Sequence, residues 1–413
     1  MRYTVGPVLA KAVGCVFMAM LPWSTIGAQM VDRVCRTDYE INPEMAGSLL
    51  VELDNISFFK DNEFAGTVVN GYSLPGLWLQ PKGVFYPLKN IKLELGVHAL
   101  IYSGAYKYPN FAYRDIATWK GTQFQSGAHV LPFFRAQLGL QNVNLVLGNI
   151  YGGANHGLID PLYNQELNLT ADPEAGLQFL YDSKRFHADV WINWQSYIFE
   201  EDSHQEAFTV GLSSKIKFNS PSSRFHYYMP IQMTIQHRGG EQDTIYTNSV
   251  QTLMNGAVGA GITWNTNRKV LKQVNLEMDA TLYYQQAGVL WPFSKGAGLY
   301  TAATVDLRNI RVKGGYWICK DFISLFGIPY FGAASVAEPG ATYNNPQTCF
   351  LSVEYSRSFG KHYAFGAKAD VYYTLPGTMT LASGEKTIPG NSTSFSFGVF
   401  MRVNPRFLLK KFD

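Results

Sequence analysis

Hydrophobic and polar residues alternate with a period of two through most of this chain. Between Arg224 and Gln236, one face holds Phe225, Tyr227, Met229, Ile231, Met233 and Ile235, and the other holds His226, Tyr228, Gln232, Thr234 and Gln236. Successive side chains of a strand point to opposite faces of a sheet, so this spacing predicts a strand with one apolar and one polar side. Val274, Leu276, Met278, Ala280, Leu282 and Tyr284 repeat the pattern against Gln273, Asn275, Glu277, Asp279, Thr281 and Tyr283. It recurs from Ile91 to Tyr102, from His362 to Tyr373 and from Ser394 to Val403. Segments of about ten to sixteen residues are longer than most strands of soluble sheets and fit a tilted crossing of a bilayer.

The expected strands are 56–65, 73–88, 91–104, 128–140, 143–153, 174–183, 185–199, 206–218, 224–238, 250–265, 270–286, 297–309, 310–321, 350–360, 362–375 and 392–404, sixteen in all. Short turns follow the even-numbered ones: Lys89-Asn90, Gln141-Asn142, Lys184, Asn219 to Ser223, Thr266 to Lys269, and Lys361. Longer connections follow most odd-numbered ones, notably 105–127, 154–173, 322–349 and 376–391. That asymmetry belongs to all-β, antiparallel, up-and-down transmembrane barrels with short periplasmic turns and long extracellular loops. An even strand count leaves both termini in the periplasm.

The first residues change the picture by adding export. Arg2 and Lys11 precede an apolar run from Ala12 to Pro22 and the small residues up to Ala28, the order of a secretory signal peptide. Residues 1–28 are therefore expected to be a signal peptide, 29–55 a periplasmic N-terminal segment, 56–404 the barrel and 405–413 a periplasmic tail. Beyond residue 28 no apolar stretch reaches the roughly 18 residues of a membrane helix. Charged residues make up 16% and aromatic residues 15% of the chain, a profile expected when lipid-facing and lumen-facing positions average out. Without residues 1–28 the chain carries 32 Lys and Arg against 31 Asp and Glu, which implies no nucleic-acid partner.

The run Leu147-Gly148-Asn149-Ile150-Tyr151-Gly152-Gly153, with Asn155-His156-Gly157-Leu158-Ile159 and Pro161-Leu162-Tyr163-Asn164, resembles porin-type outer-membrane barrels of the Bacteroides group. Trp191-Ile192-Asn193-Trp194-Gln195 and Gln236-His237-Arg238-Gly239-Gly240-Glu241 share the resemblance, which covers the chain from about residue 50 onward. It implies a bacterial outer-membrane location. Phe412 is penultimate rather than terminal, a departure from the terminal aromatic of many such barrels, although contact with barrel-assembly machinery is still expected.

Candidate chemistry sits on the inward register. Lys92, Glu94, Arg135, Asp189, Glu277, Asp279, Arg311, Lys313, Glu354, Lys368 and Asp370 are expected to line a channel. Their mixed signs argue for a polar lining, or for bracing ion pairs, rather than for strong ion selectivity. The connection 322–349 is apolar and Gly-rich, so it is expected to pack on its neighbours or fold into the barrel mouth. Cys319 and Cys349 bracket it where a disulfide would pin it, but Cys319 falls in the inward and Cys349 in the outward register.

The tempting catalytic clusters are His156 with Asp160, His204 with Asp202 and Glu201, and His237 with Glu241 and Asp243. None adjoins a G-x-S-x-G motif, and no His or Cys pair has metal-ligand spacing. The expectation is thus a non-enzymatic porin-like channel passing small hydrophilic solutes, without cofactor or metal, in contact with outer-membrane lipid. A homo-oligomer is compatible with it. A non-conducting structural or secretion barrel, or a hydrolase with its site at the extracellular rim, are the alternatives. Residues 29–55 are too few for a separate plug domain.

Overall fold

The computed structural model describes residues 30–102, 127–197, 205–240 and 250–412. The expected signal peptide, most of connection 105–127 and the cluster of Glu201, Asp202 and His204 lie outside them, as do Glu241 and Asp243. The wall opens with β1 (Ser48–Glu63), β2 (Tyr72–Leu88), β3 (Ile91–Tyr102), β4 (Gly127–Leu140), β5 (Val143–Asn149), β6 (Ala175–Asp182) and β7 (Phe186–Ser196). It continues with β8 (Ala207–Lys217), β9 (Phe225–Arg238), β10 (Gln251–Asn265), β11 (Gln273–Ala287), β12 (Lys295–Asp306) and β13 (Ile310–Lys320). After the short β14 (Thr342–Asn344) come β15 (Gln347–Phe359) and β16 (Tyr363–Thr374), the short β17 (Thr378–Thr380) and β18 (Lys386–Thr387), and β19 (Ser392–Val403) and β20 (Arg406–Lys411).

Each wall strand pairs antiparallel with its neighbours, and β1 closes the circle: Phe58 stands opposite Phe400 of β19 on one edge and Gly76 of β2 on the other. Sixteen strands form the closed barrel. β20 continues the last of them, taking Ser48 to Glu52 of β1 below the point where β19 ends. Closure leaves no unpaired sheet edge, which is the condition for crossing hydrocarbon, where no water can satisfy backbone groups.

Parity along the strands decides what meets lipid. Leu95, Val130, Leu147 and Leu282 point outward and are exposed, whereas Glu94, Asp189, Asn255 and Ser394 point inward and are buried. An apolar outside and a polar inside place the protein in the bacterial outer membrane.

Much of the inside is occupied. Residues 30–41 enter from the rim of short turns, and Met30 and Val34 are buried against the wall. Gly366 of β16 makes room for them: a Cβ there would lie 2.5 Å from Cγ of Met30. Arg402 donates to the carbonyl oxygens of Val34 and Arg36 while forking onto Asp54 at 2.9 and 2.7 Å. Gln137 donates to the carbonyl of Tyr39 at 2.6 Å. From the other rim comes connection 150–174, which meets the entering segment: Thr37 and Asn155 exchange hydrogen bonds at 3.1 and 2.7 Å.

Connection 321–346 packs on both. Phe322, Leu325 and Phe331 are fully buried, and Phe331 sits edge-on to Trp317 and Phe350 of the wall. Asn164 donates its backbone N–H to Phe326 at 2.7 Å, and Ile328 to Asp160 at 3.1 Å. The apolar run read from the sequence therefore folds into the mouth. A cavity of about 40 Å³ remains between Lys60, Tyr72, Glu166 and Tyr372, room for little more than a water molecule.

Two boundaries differ from expectation. The first strand starts at Ser48 rather than residue 56, and the tail after 404 pairs as β20. Residues 30–41, although too few for a folded plug domain, fill part of the lumen with a short helical turn, Val31–Cys35, and the irregular chain after it, beside two inward loops.

Candidate functional site

The inward charges fall into separate groups. Glu94 of β3 takes Lys82 and Lys92 on Oε1 at 3.1 and 3.4 Å, and Arg135 of β4 on Oε2 at 2.8 Å. The register sets this: Glu94 lies opposite both Val84 and Arg135. Arg135 also donates to the carbonyls of Asn149 and Ile150 at 2.6 and 3.1 Å and covers the Tyr151 ring at 3.9 Å, fixing the root of the inward connection.

Farther round, that connection is stitched to the wall by its own carboxylates. Asp160 accepts from Lys313 and, at 2.9 Å, from Tyr300. Glu166 accepts from Lys60 and Tyr72. Lys368 lies 3.2 Å from Asp370 and 3.9 Å from Glu354. Arg311 forks onto Asp306 at 2.7 and 3.1 Å, Glu277 accepts from Tyr228, and Asp279 is buried nearby. The residues expected to line a channel thus all face inward, and Lys92, Arg135, Asp189 and Lys313 contact the filling through Tyr151, His156 and Asp160.

His156 and Asp160 do not form the expected pair. His156 instead spans Asp189 of β7, Nδ1 to Oδ2 2.7 Å, and Glu174, Nε2 to Oε2 3.1 Å, with its ring stacked 3.5 Å from Trp191. Gly211 on β8 leaves the space the indole occupies. With a carboxylate on each nitrogen, the ring must carry both protons and has no lone pair to act as a base. Burial opposes that charge, but Glu174 and Asp189 outweigh it and push the pKa up to about 9. A raised pKa adds stability that is complete below the unfolded value near 6.5 and lost as pH rises through about 9. The protection of the amides of residues 153–158, the intrinsic base-catalysed exchange rates divided by the observed ones, should therefore fall from pH 8 to 10, and His156→Gln, which does not titrate, should abolish that fall.

His237 sits at the rim of long connections, where Nδ1 lies 2.9 Å from Oγ1 of Thr252. His187 pairs with Asp182 at 2.7 Å, but at the rim of short turns. His129 was not among the sequence candidates. It is the third residue of β4, inward and close to the long-connection rim, with Nδ1 2.9 Å from Oδ1 of Asp172. Asp172 is one-third exposed, so water reaches the pair. Among the described residues this is the one His–carboxylate pair both at that rim and open to solvent. The sequence signal was parity, since His129 shares the inward register of Phe133 and Arg135; its partner comes from the returning arm of a different connection.

Cys319 and Cys349 are not bridged. Cys319 is buried inside beside Trp317, whereas Cys349 is exposed on the outer face opposite Tyr316. Neighbouring strands bring them close in height, but the pleat sends their side chains to opposite sides of the wall. No group of three or more His, Cys, Asp or Glu among the described residues is arranged to hold a metal ion.

Residues 41–412 match the family described as Lipid A 3'-O-deacylase-type. No curated protein matches the chain. Among solved structures, the outer membrane protein OprD from Pseudomonas aeruginosa is 8% identical, with 90% of this chain and 98% of that one covered and a TM-score of 0.47. A loop-deletion variant of OmpT of Vibrio cholerae is 9% identical over 87% of this chain and 100% of that one, at 0.45. An anion-selective porin from Comamonas acidovorans is 10% identical over 87% and 99%, at 0.42. Nothing about activity is transferred from these three. The family match overturns the expectation of a protein without enzymatic activity, because the matched family is one of deacylases.

Proposed function

Since the chain belongs to the Lipid A 3'-O-deacylase-type family, we propose that it is an outer-membrane hydrolase that cleaves an acyl ester of lipid A. The match over residues 41–412 carries this reading, because it spans the whole barrel and both inward connections. Lipid A is the acylated glucosamine anchor of the outer leaflet, so its esters lie at the level of the long-connection rim. His129 and Asp172 stand at that level.

In this mechanism the Asp172 carboxylate, 2.9 Å from Nδ1, offsets the positive charge that forms on the His129 ring, and Nε2 takes a proton from water as the oxygen attacks the ester carbonyl. The tetrahedral intermediate collapses with breakage of the acyl C–O bond. The sugar oxygen leaves with the proton returned by His129, and the acyl group departs as a carboxylic acid. Water is the only co-reactant consumed. Outer membranes containing the protein should yield lipid A lighter by one acyl chain in mass spectrometry, with the matching free fatty acid. Unaltered lipid A after prolonged incubation with folded protein would reject the proposal.

A porin-type channel of the Bacteroides group is the second reading, favoured by the charged inner wall. The filling by residues 30–41 and the two inward connections weighs against it. Planar-bilayer recordings separate the two: a hydrolase with a largely occupied lumen should give no steps of porin size, whereas stable large steps would support the channel.

A further inference from the structure

The two rims differ in charge, and the rim of short turns is basic. At the rim of short turns, every connection between consecutive wall strands except Gln141-Asn142 holds Lys or Arg, and none holds Asp or Glu. Lys89, Lys184, Arg185, Arg268, Lys269 and Lys361 are all exposed there. β20 adds Arg406, Lys410 and Lys411 at the same end. The acids of that end lie off the turns: Asp182 and Asp306 are the last residues of β6 and β12 and pair with His187 and Arg311, and Asp38, Glu40 and Glu44 belong to the segment that enters the lumen. In the described connections of the opposite rim the exposed charges are of both signs, Glu338, Glu385 and Lys386, while Asp160 and Glu166 are buried against Lys313 and Lys60.

Directly above the basic turns the outer face is aromatic. Phe186, Phe218, Phe225, Trp264, Phe359 and Tyr363 are exposed on strand ends or turns of this rim. Such rings settle at the boundary between acyl chains and headgroups. Their depth therefore places the Lys and Arg of the turns at the plane of the inner-leaflet phosphates. Long basic side chains there reach outward along the apolar surface while keeping their charge in the headgroup layer. A mixed-sign rim would gain nothing from an anionic surface, whereas turns free of carboxylates gain from every anionic headgroup.

From this segregation we propose that the periplasmic rim is a collar for anionic phospholipids, which it gathers from the inner leaflet around the barrel. The occupant is a lipid headgroup with net negative charge. A zwitterionic phospholipid carries the same phosphate with a compensating amine and gains much less.

The test uses the full-length barrel in mixed-lipid vesicles with spin-labelled lipids, phosphatidylglycerol against phosphatidylcholine, and reads the fraction of each held at the protein surface. The anionic label should be preferred by about fivefold, the ratio one basic side chain contributes at a charged surface. That preference should fall towards unity in 1 M salt, where the screening length shrinks to about 3 Å. It should also fall in a variant carrying Lys184→Gln, Arg185→Gln, Arg268→Gln, Lys269→Gln and Lys361→Gln. A second variant, Lys295→Gln with Lys320→Gln and Lys386→Gln, removes charge from the other rim and should keep the preference.

Equal retention of both labels by the native protein would overturn the proposal, as would a preference indifferent to salt. The salt series needs no substitution, so it decides the matter even where the five-fold variant fails to fold. Equal lipid retention, with the native protein but not the collar variant held on immobilised polyglutamate, would overturn it in favour of an acidic protein partner.

Discussion

His129→Ala is expected to lower the rate of lipid A ester hydrolysis by about 10²- to 10⁴-fold, the usual contribution of a positioned general base. The protein should remain folded, because the residue lies at the end of β4 and only its side chain changes. Asp172→Asn should lose less, since it removes only the charge that offsets the imidazolium formed in the transition state and leaves the base in place. The readout is the release of free fatty acid from lipid A micelles by protein of verified fold. His156→Gln provides the contrast: its ring has no lone pair to offer, so its substitution should alter the stability of the inward connection far more than the turnover of bound substrate. If His129→Ala hydrolyses at the native rate while the native protein is active, the site lies elsewhere on the rim, with His237 the next residue to substitute.

The second large effect concerns stability. Glu94→Ala removes the carboxylate that Lys92, Lys82 and Arg135 share, all of them buried. Lys82 keeps Glu52 at 3.2 Å, but Arg135 and Lys92 lose the one carboxylate within salt-bridge range among the described residues. Breaking a buried pair from one side costs about 3–5 kcal/mol, because the surviving charge stays out of water without compensation. Urea unfolding of the barrel in vesicles should show a loss of that size. Glu94→Ala should also loosen Asn149 to Tyr151, which Arg135 holds through two carbonyls and the Tyr151 ring. A loss below about 1 kcal/mol would mean that water reaches the cluster and replaces the carboxylate.

The same cluster shows how far the sequence could be read. Lys92, Glu94 and Arg135 were assigned to the inner face from alternation alone, and they are inward. That inference depends on a local rule, the two-residue period of the pleat, which holds however the barrel closes. Which carboxylate meets which cation was not readable, since Arg135 reaches Glu94 through a register between strands joined by a connection of more than twenty residues. The disulfide expectation failed on the same footing. Cys319 and Cys349 looked close in the chain order of adjacent strands, and parity, also a local rule, already pointed their side chains apart.

Connection 150–174 marks the harder limit. Its polar pair, His156 and Asp160, read as a solvated loop because isolated charges belong in water. Both are buried in the barrel, as is Glu166, because each finds an opposite charge on the wall, an arrangement that exists only once the sheet has curled round them. His129 went unnoticed for the same reason, because its carboxylate comes from an arm that must first descend into the lumen and return.

By itself, then, the sequence determined the strands, their number, the faces they turn to lipid and lumen, and the asymmetry of the two rims, for all of these follow from side-chain alternation and connection length. The tertiary structure alone decided that much of the lumen is occupied and that His129 meets Asp172 at its mouth. Long-range charge pairing and the entry of the N-terminal segment depend on distances set by barrel closure, and no spacing along the chain encodes them.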